Sequence, residues 1–174
     1  FHFSLAAEAR RAPKRIRRLR KSMHRYDHIV LIADDMMDEA REMMPEHKGR
    51  FCRIYNCLNR DTIVEKASAP VDDKRITRPF LLAVERLEES QKDLTTLFKA
   101  YALLRNRATA ADVPELYIIG EGRSRGELEG LIRRLGMERH ITLLGFQANP
   151  YPWIKASQAL VHSSRFEGFG LSLA

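Results

Sequence analysis

Apolar and polar positions follow one rhythm in the first third of the chain and a more regular one in the last hundred residues, with an unpatterned stretch between. After Pro13, which suits a first helical turn, Ile16, Leu19 and Met23 recur at helical spacing and predict a helix with a narrow apolar stripe among arginines. The run Asp27 to Ile32 predicts a strand. Asp34 and Asp35 then offer N-caps for a helix through Met44, closed by Pro45. Phe51 to Tyr55 predicts another strand, ending at Asn56. Met36, Met37, Met43 and Met44 read most simply as packing residues. From Leu58 to Arg78 there is no strong period, and Ser68-Ala-Pro-Val-Asp-Asp-Lys74 reads as an exposed connector. The expected division is therefore residues 1–57, a linker over 58–78, and a second domain over 79–174.

After Pro79 the alternation is clear. Phe80 to Val84, Leu116 to Ile119, Ile141 to Leu144 and Ala159 to His162 predict strands. Between them, Leu94, Leu97, Phe98, Tyr101 and Leu104 define one helix face, and Leu128, Leu131, Ile132 and Leu135 another, closed by Gly136. Ser124 and Glu127 suggest a capping box, and Tyr151 to Lys155 a short helix. Strands apolar throughout, alternating with amphipathic helices, predict an α/β fold: a parallel sheet with helices on both faces. Such sheets bind ligands beyond the strand C-termini. That rule directs attention to Glu85–Lys92, Gly120–Gly122, Gly145–Pro150 and Ser163–Gly170.

At that edge Arg86 and Lys92 bracket the first strand-to-helix turn, a fork and a point charge suited to adjacent phosphates. The alternative is that Lys92 pairs with Glu88 or Glu89 and Arg86 with a surface acid. Gly120-Glu121-Gly122 permits close backbone approach, but a dinucleotide fingerprint would need glycine at 125, where Arg125 stands. A nicotinamide or flavin cofactor is not expected. Gly145-Phe146 and Asn149-Pro150-Tyr151 form a turn able to wall a base. The last stretch sets Ser164, Glu167, Gly168, Phe169 and Gly170 between an apolar run and Leu171, as a strand running into a helix whose free N–H groups would bind an anion. Glu167 alternatively caps that helix. His162 reads as a strand-end residue rather than a base, and the other histidines lack ligand spacing.

Four segments, Leu81-Leu-Ala-Val-Glu-Arg-Leu-Glu-Glu-Ser-Gln-Lys92, Ile118-Ile-Gly-Glu-Gly122, Leu144-Gly-Phe-Gln-Ala-Asn-Pro-Tyr151 and Ser164-Arg-Phe-Glu-Gly-Phe-Gly170, resemble in order and spacing the GT-B glycosyltransferases of the family-4 type. Tyr26-Asp-His-Ile-Val-Leu31 and Arg53-Ile-Tyr-Asn56 resemble more loosely the end of that family's first domain. The resemblance implies a Rossmann-like donor domain within a two-domain architecture. It also implies retaining transfer of a sugar from a nucleotide diphosphate, UDP or GDP, to a glycan or lipid-linked acceptor, without an essential metal or other cofactor. Bacterial surface polysaccharide or lipopolysaccharide synthesis is the implied setting. By motif, Arg86 and Lys92 would stabilise the departing diphosphate and Glu167 would hold sugar hydroxyls. Gly120, Gly122, Gly145, Phe146, Asn149, Ser164, Gly168, Phe169 and Gly170 would line the donor. Glu85 stands where many relatives carry a small residue; an acid there would weaken diphosphate binding unless drawn into a salt bridge. The chain begins at Phe1 without Met and ends just past the last motif, so a piece cut at both ends, inactive by itself, is expected. The competing reading is a nucleotide-sugar-binding module without turnover.

Charge changes one further point. Of a net +7, nine positive side chains and no acid lie within residues 10–25, leaving −2 for the remainder. This segment is a solvated helix face, a contact for anionic lipid at the inner membrane surface, or, less in keeping with its lack of stacking aromatics, a nucleic-acid site. No nucleic-acid partner is expected. No apolar run approaches the roughly 20 residues needed to span a bilayer. Cys52 and Cys57 match neither a redox pair nor half a zinc site, so reduced thiols and a cytoplasmic, at most peripheral, location are expected.

Overall fold

Ser4 opens the first helix, its hydroxyl accepting a hydrogen bond from Ala7 N at 3.1 Å. The computed structural model describes residues 4–71, 78–107, 113–167 and 170. Two compact units emerge, one running to Leu58 and including Phe166, Glu167 and Gly170, the other spanning Asn59–Arg165.

In the first unit, α1 (Leu5–Arg11), α2 (Pro13–Ser22) and α3 (Asp34–Met43) accompany two strands, β1 (Ile29–Leu31) and β2 (Phe51–Arg53). The strands pair in parallel, Ile29 opposite Phe51 and Leu31 opposite Arg53, with α3 as the crossover that parallel pairing requires. Leu5, Ile16, Met23, Leu31, Met36, Ala40 and Met44 form the core, so the expected stripe of α2 and the methionines are packing residues. The expected cap of α3 is corrected. Ala33 holds the N-cap position without a side-chain bond, and Asp34 is the first helical residue. Its carboxylate instead accepts from Tyr55 Oη at 2.7 Å and pairs with Arg53. The tyrosine hydrogen bond, then the arginine, holds that carboxyl below its ordinary range.

The second unit contains α4 (Arg60–Ala67), β3 (Phe80–Val84), α5 (Glu89–Lys92), α6 (Leu94–Arg107), β4 (Glu115–Ile119), α7 (Arg125–Arg134), β5 (Ile141–Gly145), α8 (Tyr151–Ala156) and β6 (Ala159–Leu160). The sheet runs β5-β4-β3-β6, every neighbour parallel, with Leu81 beside both Leu116 and Ala159. The central strands β3 and β4 bury both faces, which explains their nearly unbroken apolar sequence. Ala83, Leu116 and Ile118 meet Leu94 and Phe98 of α6 and Leu128 and Ile132 of α7. On the other face Phe80, Leu82, Tyr117 and Ile119 meet Trp153 of α8. The Phe80, Tyr117 and Trp153 rings stand 5.1–6.3 Å apart, with Trp153 edge-on to both.

Three local expectations change. The unpatterned stretch contains α4, whose N-cap Asn59 accepts from Thr62 N at 3.0 Å. No α4 residue is buried, so no apolar period marks it. Leu104 is exposed, and Ala102 is buried on α6 with Phe98 and Tyr101. Ser124 does not build a capping box; its Oγ accepts from Glu89 N at 3.3 Å across the chain. Trp153→Ala, which empties the aromatic cluster, is expected to destabilise the protein by about 3–5 kcal/mol, read as a lower denaturant midpoint.

Candidate functional site

Because every strand of the second sheet points the same way, the segments after β3, β4, β5 and β6 share one edge. The β3 and β4 exits are stitched together: Glu85 N donates to Ile119 O at 2.8 Å, Leu87 N to Glu121 O at 3.0 Å, and Ser124 N to Leu87 O at 3.1 Å. The approach is so close that a Cβ on Gly120 would lie 1.8 Å from Glu85 O, and one on Gly122 2.3 Å from Leu87 O. Gly120 also has φ 139°, a value that L side chains rarely adopt. These two glycines therefore serve a backbone-to-backbone approach within the protein, where the sequence suggested approach to a ligand. Gly145, at φ 79°, accepts from Gly120 N at 2.9 Å and extends the stitching to β5. Arg125 is held by Glu121 at 2.7 Å, Glu129 at 2.9 Å and Leu143 O at 3.3 Å, so it braces this edge.

Buried among these turns is an acid. Glu85, the first residue beyond β3, is 5% exposed. Its Oε2 lies 2.7 Å from Lys92 Nζ, and its Oε1 contacts His162 Nδ1. Lys92 ends α5, followed by Asp93 in a left-handed conformation (φ 48°). The chain leaving β6 is strapped across that turn. Ser163 Oγ donates to Lys92 O at 2.8 Å, and Arg165 N to Gln91 O at 2.8 Å. Arg165 Nε sits 3.1 Å from Asp93 Oδ2 and, as the leading cause, holds that carboxyl below its ordinary range. This strap delivers His162 to Glu85.

The sequence placed Arg86 and Lys92 at this edge, and both lie in the turn and helix after β3. Arg86 is exposed, and its guanidinium makes no hydrogen bond or ion pair among the described residues. Lys92 is paired with Glu85, a partner that helical spacing did not suggest. Glu88 meets Arg123 and Ser90, and Glu89 Oε1 accepts from Thr95 N at 2.9 Å. Phe146 is 74% exposed at the β5 exit. Asn149 Nδ2 donates to Lys66 O at 2.9 Å and its Oδ1 accepts from Tyr151 N at 3.3 Å, tying α4 to the start of α8. Ser164 Oγ is buried without a hydrogen-bond partner among the described residues. Glu167 is partly buried in irregular chain and groups with the first unit, as does Gly170, whose φ is 67°. Gly168, Phe169 and the helix expected beyond Gly170 lie outside the described residues. The contribution of His162 was missed. Its signal was its position at a strand end, directly before the serine pair Ser163-Ser164.

A family model described as Glycosyl transferases group 1 matches residues 65–174. The N-acetylgalactosamine-N,N'-diacetylbacillosaminyl-diphospho-undecaprenol 4-alpha-N-acetylgalactosaminyltransferase of Campylobacter jejuni is 34% identical over 116 residues, covering 67% of this chain and 29% of that protein. Of solved structures, the apo lipopolysaccharide outer core galactosyltransferase WaaB aligns with TM-score 0.61 and 26% identity over 84% of this chain and 39% of that one. Anabaena HepE in complex with UDP and glucose aligns with TM-score 0.72 and 18% identity over 90% of this chain and 43% of that one, a likeness of fold. These structures are GT-B glycosyltransferases, which meets the expected fold class. The chain spans less than half the length of each of these relatives.

Gly120→Ala is expected to cost several kcal/mol, since both its φ and the Glu85 carbonyl oppose a Cβ. A thermal melt checks this; a loss comparable to that of an exposed helical Gly→Ala change would show that the stitching is not tight.

Proposed function

The chain belongs to the glycosyl transferases of group 1, and from that premise we propose that its second unit binds the diphosphate of a nucleotide-sugar donor for a retaining sugar transfer. The observation that supports the reading is that Arg86, in the turn after β3, and Lys92, ending α5, both follow β3 at the C-terminal edge of a parallel sheet. Breaking the anomeric C–O bond leaves negative charge growing on the diphosphate, and fixed cations there lower the barrier. Arg86 supplies a planar fork without a partner among the described residues, and Lys92 an ammonium already held by Glu85. In this reading Glu167 holds donor-sugar hydroxyls, while Ser164, Phe146, Asn149 and the glycines Gly120, Gly122, Gly145, Gly168 and Gly170, with Phe169, line or shape the donor pocket. No step requires a metal. UDP or GDP is the favoured carrier, UDP being the nucleotide bound by HepE.

Residues 1–57 are the end of an acceptor-binding domain, 58–78 a connector, and 79–174 the donor domain. The acceptor is a glycan or a lipid-linked sugar, the class named for the Campylobacter jejuni relative. The proposed product is a surface polysaccharide or lipopolysaccharide-like glycan, a reading supported by the likeness to the lipopolysaccharide outer core galactosyltransferase WaaB.

A second observation supports contact with anionic lipid. All nine cations of residues 10–25 are exposed, and only Arg15 and Arg20 are ion-paired among the described residues, to Glu8 and Glu46. Ile16, Leu19 and Met23 are taken up by packing, so the contact is electrostatic and not an insertion. Among the described residues no helix is long and apolar enough to cross a membrane.

Calorimetric titration with UDP, GDP and ADP tests the donor reading. One nucleotide should bind, and Arg86→Ala should weaken it roughly tenfold to a hundredfold, the cost of a charge-assisted hydrogen bond. Absence of binding by all three removes the reading. For the lipid contact, co-sedimentation with vesicles containing anionic lipid should be strong at low salt. It should fall with added salt and with Arg17, Arg18 and Lys21 replaced by alanine. Pelleting indifferent to lipid charge would remove it.

A further inference from the structure

We infer that Glu85 is a resident counter-ion with which an incoming diphosphate competes for Lys92, so that this carboxylate sets how tightly the chain holds its donor. The inference rests on the donor reading above and assigns a role to a residue that reading does not use.

The main chain that carries the carboxylate is fixed, and the side chain is buried. Glu85 N is bonded to Ile119 O, and Glu85 O faces Gly120 so closely that no side chain fits between. Its side chain is 2% exposed, against 12% for Lys92 and 16% for His162. Lys92, by contrast, reaches Glu85 on a flexible four-carbon stem from the last residue of α5. Exchange would therefore proceed by the ammonium turning or sharing its three donors between Glu85 and a phosphate oxygen, while the acid stays where it is. A buried carboxylate stripped of its cation is costly, and here a second cation-capable group stands ready. His162 Nδ1 remains on the other oxygen, Oε1. Placing the two partners on different oxygens lets one leave while the other stays. With Glu85 ionised, the Glu85–Lys92 pair presents no net charge to a ligand, while Arg86 has no ion-pair partner among the described residues.

Removing the charge while keeping the shape acts twice in one direction. Glu85→Gln relieves repulsion between the acid and the diphosphate. It also removes the buried carboxylate with which Lys92 pairs, so that a phosphate oxygen meets less competition for the ammonium. The expected result is UDP binding tightened on the order of tenfold, one unit charge acting across a few ångströms at an interior effective dielectric. The unliganded variant should melt lower than the wild type, with the gap closing at saturating UDP. In a Lys92→Met background the same change should alter affinity far less, because no lysine remains to compete for. Inorganic pyrophosphate, titrated in parallel, separates the diphosphate contribution from that of the nucleoside.

If the wild type binds UDP and Glu85→Gln binds it equally or more weakly, the acid merely orients Lys92 and the inference falls while the donor reading stands. If neither protein binds any diphosphate, both fall. Should Glu85→Gln not fold, Glu85→Asp shortens the reach to Lys92 while keeping the charge. Tighter UDP binding then supports the exchange, and unchanged or weaker binding overturns it.

Discussion

The second unit depends on a backbone approach too close to admit a side chain. The exits of β3 and β4 are bonded along Glu85–Ile119, Leu87–Glu121 and Leu87–Ser124, and glycine at 120 and 122 is what allows that approach. Once these exits are locked, Glu85 has no freedom to leave its buried position. Lys92 is then held by a fixed carboxylate, and the strap after β6 closes over α5. A site made from strand exits and loops normally inherits the mobility of loops. Here the stitching gives the exit of β3 much of the rigidity of the sheet.

The sheet itself was legible because burial on both faces leaves an unambiguous mark on sequence. Phe80–Val84, Leu116–Ile119 and Ile141–Leu144 are largely apolar runs, α7 shows the expected stripe, and α6 shows it with Ala102 in place of Leu104. What escaped was whatever has no periodic signature or draws its partner from far away. The helix α4 has no buried residue, so only its Asn59 cap distinguishes it from a connector. Asp34 and Ser124 looked like caps because capping is a local rule. Each instead bonds a distant group, Tyr55 in one case and Glu89 N in the other. The capping propensity of Asp and Ser is a tendency to accept nearby N–H groups, and tertiary partners override it.

The candidate site divides along the same line. Strand ends and a rule of topology were enough to bring Arg86 and Lys92 to one edge, since both lie within eight residues of β3. The pairing of Glu85 with Lys92 and His162 was not accessible from spacing. His162 reaches Glu85 only because β6 pairs with β3, a choice of strand order that no local pattern encodes. The sequence flagged Glu85 as an oddity, and the resemblance supplied the condition under which it would be tolerated, an ion pair. Lys92 supplies the ion pair, and in the inference drawn above that pairing is what sets the acid against a diphosphate for the same ammonium.

The two halves of the chain use charge in opposite ways. Along residues 10–25 cations are exposed, mostly unpaired and close to one another, an arrangement that repels itself in water and is relieved by any polyanion. At the sheet edge Glu85 is buried between two cation-capable groups, where replacing the pair by apolar residues of similar volume would often be no less stable. A buried ion pair is therefore poor evidence that stability is what it serves. Its location sharpens the point: it lies where ligands of parallel sheets bind, next in sequence to an arginine without a partner among the described residues. The arrangement stabilises the unliganded edge and at the same time opposes an anion that would occupy it, which is the behaviour of a counter-ion that modulates binding and not of a structural strut.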